Sequence, residues 1–149
     1  MFTVEQLMQA RIDAGALTVS PDETVYHALM LMANHNTGAV MVVENDQMVG
    51  IFTERDYARK VILLGRCSLD TKIREIMTRE LLTVNPETSL EECMALMTKW
   101  HIRHLPIMSE GRLIGIVSMR DVVQAIIGKK EDTIQDLEKY ILGQGYARG

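Results

Sequence analysis

Thr53-Glu54-Arg55-Asp56 and Ser118-Met119-Arg120-Asp121 stand sixty-five residues apart and share one pattern, hydroxyl-x-Arg-Asp. Each follows a short apolar run opened by glycine, Gly50-Ile51-Phe52 in one case and Gly115-Ile116-Val117 in the other. Each leads into a helix-like segment, over residues 57–64 and 122–127. The unit is strand, polar box, helix, and it occurs twice.

Outward from the boxes, residues 17–63 lie over 82–128 at this same offset without a gap. Leu17 meets Leu82, Thr18 meets Thr83, Val19 meets Val84 and Pro21 meets Pro86. Leu31 meets Leu96, Ile51 meets Ile116 and Ile62 meets Ile127, while Val42 and Met48 exchange for Ile107 and Leu113. A fixed internal period marks a duplicated unit. Within each copy the pattern predicts an extended run (17–19, 82–84) and then a helix. The first helix carries an apolar face of Val25, Ala28, Leu29 and Met32, and the second covers 90–99. Next comes an apolar run too short for a helix, 39–43 or 105–108, then a polar turn and a returning strand, 48–52 or 113–117. Each unit therefore reads β-α-β-β-α, and the fold class is α+β.

The units are expected at residues 1–66, with an N-terminal helix, and 67–130, followed by a helical tail over 131–149. Thr3-Val4-Glu5-Gln6 has the form of a capping box. Leu7, Met8 and Ile12 follow at helical spacing, and Gly15 ends that helix. Asp70-Thr71-Lys72-Ile73-Arg74-Glu75-Ile76 in the linker holds one short amphipathic turn, expected to pack with the second unit. In the tail Ile134, Leu137 and Ile141 recur at helical spacing, with acids early and Lys139 late, an order that suits the helix dipole. That stripe serves either packing within the chain or a contact between subunits.

Two units of about 60 residues each bury too little surface to stand alone comfortably, so the halves are expected to pack on each other. A hydrophobic content of 47% among 149 residues is ample for that shared core. Aromatics are only 5% and methionines number 11, which favours an adaptable apolar interior. The formal net charge of −4 argues against nucleic acid or an anionic membrane as the main target, since both need a basic face. No apolar run approaches the roughly 18 residues that span a bilayer. The N-terminus has no signal-peptide pattern, and two thiols without metal-ligand spacing fit a reducing, cytoplasmic location. No metal is expected.

By itself, [Ser/Thr]-x-x-Asp is the pattern of a helix capping box. Two copies at equivalent positions, each with an arginine that capping does not require, point to a ligand as well. An ionised aspartate only accepts hydrogen bonds and suits a pair of ribose hydroxyls, each such bond contributing roughly 1.5–3 kcal/mol. The adjoining helix N-terminus favours phosphate. The densest basic cluster is His101-Ile102-Arg103-His104-Leu105-Pro106. In isolation it reads as a solvated loop; beside a repeated aspartate, Arg103 and His104 become candidates for phosphate. The first unit has Asn36-Thr37-Gly38-Ala39-Val40-Met41 there, without the basic side chains, so two sites should be unequal. Trp100 at a helix end could stack on a base, but reads first as a buried anchor. No glycine-rich phosphate loop, nucleophile elbow or metalloprotease motif is present, and no catalytic machinery is visible.

Ile76-Met77-Thr78 leading to Leu82-Thr83-Val84, Ile102 through Ile107, and Gly115 through Ser118 with Arg120-Asp121 resemble a tandem pair of cystathionine-β-synthase (CBS) domains, the Bateman module. The resemblance covers residues 3–128. It implies two pseudo-twofold-related units packed sheet to sheet, helices outside, with two clefts between them. It implies an adenine nucleotide as regulatory ligand, AMP foremost, with ADP, ATP, S-adenosylmethionine and NAD(H) as alternatives. By analogy Asp56 and Asp121 hold ribose hydroxyls, Thr53 and Ser118 touch ribose or phosphate, and Arg55 and Arg120 belong to the same sites. The Asp56 cleft borrows Met77, Ile102, Arg103 and His104; the Asp121 cleft borrows Leu17, Gly38 and Ala39. The resemblance also implies a homodimer and an unidentified regulated partner, and no enzyme activity. The contrasting reading is a constitutive dimerisation or interaction scaffold with vestigial clefts.

Overall fold

The computed structural model describes residues 2–10 and 17–138. The elements run α1 (Val4–Ala10), β1 (Thr18–Val19), α2 (Val25–Asn34), β2 (Ala39–Glu44), β3 (Gln47–Thr53), α3 (Glu54–Tyr57), α4 (Leu90–Trp100), β4 (His104–Ser109), β5 (Arg112–Ser118) and α5 (Met119–Glu138). A π-helical turn, Ala58–Ile62, prolongs α3, and a 3-10 turn, Ile73–Glu75, lies in the linker.

Two sheets result. In the first, β1 runs parallel to β2 and β2 antiparallel to β3; in the second, β4 and β5 form an antiparallel hairpin. Both hairpins close through two residues with positive φ, Asn45 and Asp46 in one, Glu110 and Gly111 in the other. That is the primed turn whose twist matches the strands it joins. The pairing slips by one residue between Val42 and Val43, and again between Ile107 and Met108, sixty-five residues on. The duplication thus extends to the bulge. The expected strand at 82–84 shrinks to one parallel bridge, Val84 to Ile107, the counterpart of Val19 to Val42.

Alternation along the strands sets the layers. Val40, Val42 and Phe52 face α2, with Val25, Ala28 and Met32, in the first core. Leu105, Ile107 and Val117 face α4 and α5, with Leu90, Cys93, Met97 and Val122, in the second. The opposite faces, Ala39, Met41 and Ile51 against Leu113 and Ile116, meet in a third cluster between the sheets. The sheets therefore pack face to face with helices outside. β2 is buried on both sides, which is why its sequence is a continuous apolar run rather than an alternating one.

The short amphipathic pieces change places. Val4 and Leu7 of α1 belong to the second core, and the Val4 N–H donates to the Thr88 carbonyl at 2.8 Å. Ile73, Ile76 and Met77 of the linker belong to the first core, where the Ile73 N–H donates to the Glu23 carbonyl at 2.9 Å. The linker turn thus packs with the first unit and not, as expected, the second. Its apolar spacing fits either core, and Gly50 decides the matter by letting the linker approach: a Cβ there would lie 2.8 Å from Met77 Sδ and 2.9 Å from the Thr78 carbonyl oxygen. Thr3 and Gln6 do form the expected reciprocal cap.

The expected tail helix begins earlier. α5 runs unbroken from the box at Ser118 through Gly128 to Glu138, and Ile134 is exposed. Ile12, Gly15, Lys139, Ile141 and the side chain of Leu137 lie outside the described residues. Trp100 is 53% exposed, one turn beyond the last buried residue of α4, with Lys99 Nζ 5.3 Å from its ring, and is no core anchor. Among the described residues no helix is long and apolar enough to cross a membrane.

Candidate nucleotide clefts

Both polar boxes form at the mouths of the sheets, where a strand ends and a helix starts. In the first, the Thr53 N–H donates to Asp56 Oδ2 at 3.0 Å and the Asp56 N–H donates to Thr53 Oγ1 at 3.2 Å. In the second, the Ser118 N–H donates to Asp121 Oδ2 and the Asp121 N–H to Ser118 Oγ, both at 3.1 Å. These are reciprocal caps, so the plain reading of the motif holds. They also fix both carboxylates beside the space between the units, so capping and a cleft position coincide.

Two clefts open there. The larger, about 1030 Å³, is lined by Ser118, Arg120 and Asp121 from one unit and by Leu17, Gly38 and Ala39 from the other, the expected grouping. The smaller, about 500 Å³, is lined by Thr53, Arg55 and Asp56 with Ile102, Arg103 and His104. Met77 is absent from its wall. That side chain turns inward, 6% exposed, into the first core, and Thr78 takes the wall position instead.

Arg103 and His104 line both clefts, together with Gly38 and Glu54. Register explains this. His104 pairs with Ser118 across β4 and β5, which sets it beside the Asp121 box as well as facing the Asp56 box. Counting back from the turn places His104 opposite Val117, and the bulge between Ile107 and Met108 moves its partner to Ser118. Glu54 carries no site signal in the sequence, although it lies inside the repeated tetrapeptide; its carboxylate covers Gly38, where a Cβ would come within 2.6 Å of Oε1. His35, Thr37 and Gln124 of the larger cleft carry no sequence signal beyond proximity to its borrowed residues.

Charges differ between the two boxes. Asp56 is only 6% exposed, and its carboxylate takes the Lys60 ammonium at 3.0 Å and the Thr78 hydroxyl at 2.9 Å. Arg55 reaches across the units to donate to the His101 carbonyl at 2.6 Å. His101 ends α4 in the left-handed region, φ 54°, so the guanidinium meets a helix C-terminus, where a cation is favourable. Arg103 and Arg120 are exposed on the larger cleft. Burial pushes the His104 imidazole below its ordinary value; the Asp121 charge opposes that and the Arg103 charge adds to it. Burial also raises the Cys93 thiol to about 11, which leaves it protonated at neutral pH.

Comparison with known proteins agrees with this geometry. The family model of the CBS domain matches residues 4–62 and again 73–128. The chain is 43% identical to the mitochondrial CBS domain-containing protein CBSX3 of Arabidopsis thaliana, over 97% of this chain and 73% of that protein. Among solved structures, a protein with CBS domains from Burkholderia ambifaria is 46% identical with a TM-score of 0.82, covering 85% of this chain and 94% of that one. The CBS domain pair of protein MJ0100, in complex with 5′-methylthioadenosine and S-adenosyl-L-methionine, shares the fold at 24% identity and a TM-score of 0.76, over 87% and 98% of the two chains. This chain belongs to the CBS-domain family and carries two such domains in tandem.

Proposed function

We propose that this protein is a regulatory module that binds an adenine nucleotide, AMP foremost, between its CBS units and passes the ligand state to a partner protein. The observation that carries the reading is the larger cleft, where a capped strand-end carboxylate, Asp121, lies in one wall with Arg103, Arg120 and His104. An aspartate accepts from a ribose diol, and two guanidinium groups with an imidazole can engage phosphate. Leu17 and Ile116 offer apolar surface to a base. The adenosine-bearing ligands of the MJ0100 pair support the same class of ligand.

A homodimer fits the exposed apolar ends of the helical layer, Ile62, Leu63 and Leu64 in one unit and Ile127 and Ile134 in the other. A reducing, cytoplasmic setting suits two free thiols. Isothermal titration against AMP, ADP, ATP, NADH and S-adenosylmethionine tests the reading. Saturable binding of an adenine nucleotide, weakened by a change at Asp121, is the expected result. No binding of any of the five would leave a constitutive interaction scaffold as the better account.

A further inference from the structure

An acid stands among the bases of the larger cleft. Glu54 lines it with Gly38, Arg103, His104 and Arg120. The Glu54 N–H donates to the Gly38 carbonyl at 3.1 Å, and the carboxylate folds back over the same glycine. A Cβ at Gly38 would stand 2.6 Å from Glu54 Oε1 and 3.6 Å from His104 Cε1, so carboxylate and imidazole share the room that one glycine leaves. Among the described residues this carboxylate makes no hydrogen bond or ion pair, with Arg103 and Arg120 in the same wall. The fold does not require the charge. Sixty-five residues on, the Met119 N–H donates to the Arg103 carbonyl at 2.8 Å, the same backbone bond carrying a neutral side chain. An acid in a first helical turn favours the helix dipole, but Asp56 already supplies one to α3.

We propose that Glu54 sets the preference of the larger cleft for a nucleoside monophosphate over a triphosphate. This rests on the nucleotide reading above and adds the residue that grades its ligands by charge. The fixed cations of the wall are Arg103 and Arg120, and the acids are Glu54 and Asp121, with His35 and His104 as the imidazoles. A single phosphate brings up to about two negative charges, which two guanidinium groups can meet. Each further phosphate adds charge with no further lysine or arginine in the wall to receive it, and Glu54 stands beside His104 where a longer chain would extend. Like charges set against each other suppress the wrong ligand more than they strengthen the right one. Glu54 is exposed, so water and salt screen the repulsion and its effect is graded, not absolute.

The test is titration of AMP, ADP and ATP, with EDTA present, into the full chain and into Glu54→Gln. Wild type should bind AMP most tightly and ATP least. In Glu54→Gln both affinities should rise, ATP's by more, so that the preference for AMP over ATP narrows by about three- to tenfold, the scale of one partly screened like-charge contact. Glu54→Met, which copies Met119, should narrow it equally and serves where Glu54→Gln loses its cooperative unfolding transition. Wild type that binds ATP as tightly as AMP overturns the proposal. So does a preference left unchanged in both variants while urea unfolding shows lost stability, since Glu54 then serves only the start of α3. Either result leaves the nucleotide reading standing. Failure of wild type to bind any of the three removes both.

Discussion

At the end of β3, Asp56 is buried, ion-paired and hydrogen-bonded to a threonine twenty-two residues further along the linker. At the end of β5, Asp121 is half-buried in the wall of a cleft of about twice the volume, across from Leu17, Gly38 and Ala39. Backbone geometry is the same in both places, down to the reciprocal cap and the bulge in the adjoining hairpin. The difference lies in what the rest of the chain brings alongside. A duplicated motif specifies a position in space, and burial and the facing residues then differ between the copies.

The largest expected effect sets the two aspartates directly against each other. On the proposed reading Asp121→Ala removes the acceptor for two ribose hydroxyls, each bond contributing roughly 1.5–3 kcal/mol, so AMP affinity should fall by at least about a hundredfold. Asp56→Ala should leave that affinity within about threefold. It should instead lower unfolding free energy by about 3 kcal/mol, since it removes a cap and charge-assisted bonds that tie the linker to the first unit. Titration calorimetry and urea unfolding on both variants check this. Equal loss of affinity would erase the distinction between the clefts.

Much of this frame is legible in sequence. The offset of sixty-five, read through Gly50/Gly115 and Asp56/Asp121, gives both hairpins and both boxes, and the family resemblance implies the sheet-on-sheet core. Leu17, Gly38 and Ala39 come together with Asp121 as the family resemblance implies. What escapes is long-range and depends on where short pieces dock. Lys60 reads as one more surface lysine until Thr78 is known to lie beside Asp56. Met77 belongs to the motif that announces the second unit, yet fills the first core. An amphipathic turn of three residues has the same apolar spacing for either neighbour, so its destination follows from Gly50 and the backbone bridge at Ile51.

That bridge gives a middle-sized effect. Gly50→Ala places a methyl 2.8 Å from Met77 Sδ and 2.9 Å from the Thr78 carbonyl oxygen. The thioether can swing aside but the backbone oxygen cannot, so the linker must retreat from β3. A destabilisation of about 1–3 kcal/mol is expected, the range for inserting a methyl into a filled space. Because the strain falls on the Asp56 side alone, AMP affinity at the Asp121 cleft should change by less than about twofold. An affinity loss that matched the loss of stability would show that the clefts are not independent.

The smallest effect concerns the ring that both clefts share. His104 is held below its ordinary value mainly by burial, with Asp121 pulling it up and Arg103 pushing it down. A histidine whose folded value is depressed binds its proton later in the native state than in the unfolded chain. As pH falls through the ordinary imidazole value, near about 6.5, the unfolded state gains protons first and stability declines. Bound phosphate reverses the balance, because an anion beside His104 favours the imidazolium. Between about pH 8 and pH 5.5, unliganded stability should therefore fall while AMP affinity rises. His104→Asn should flatten both slopes and separates this ring from the three other histidines. If the affinity slope survives in that variant while the stability slope is lost, His104 belongs to the wall between the clefts and Arg103 and Arg120 carry the phosphate without it.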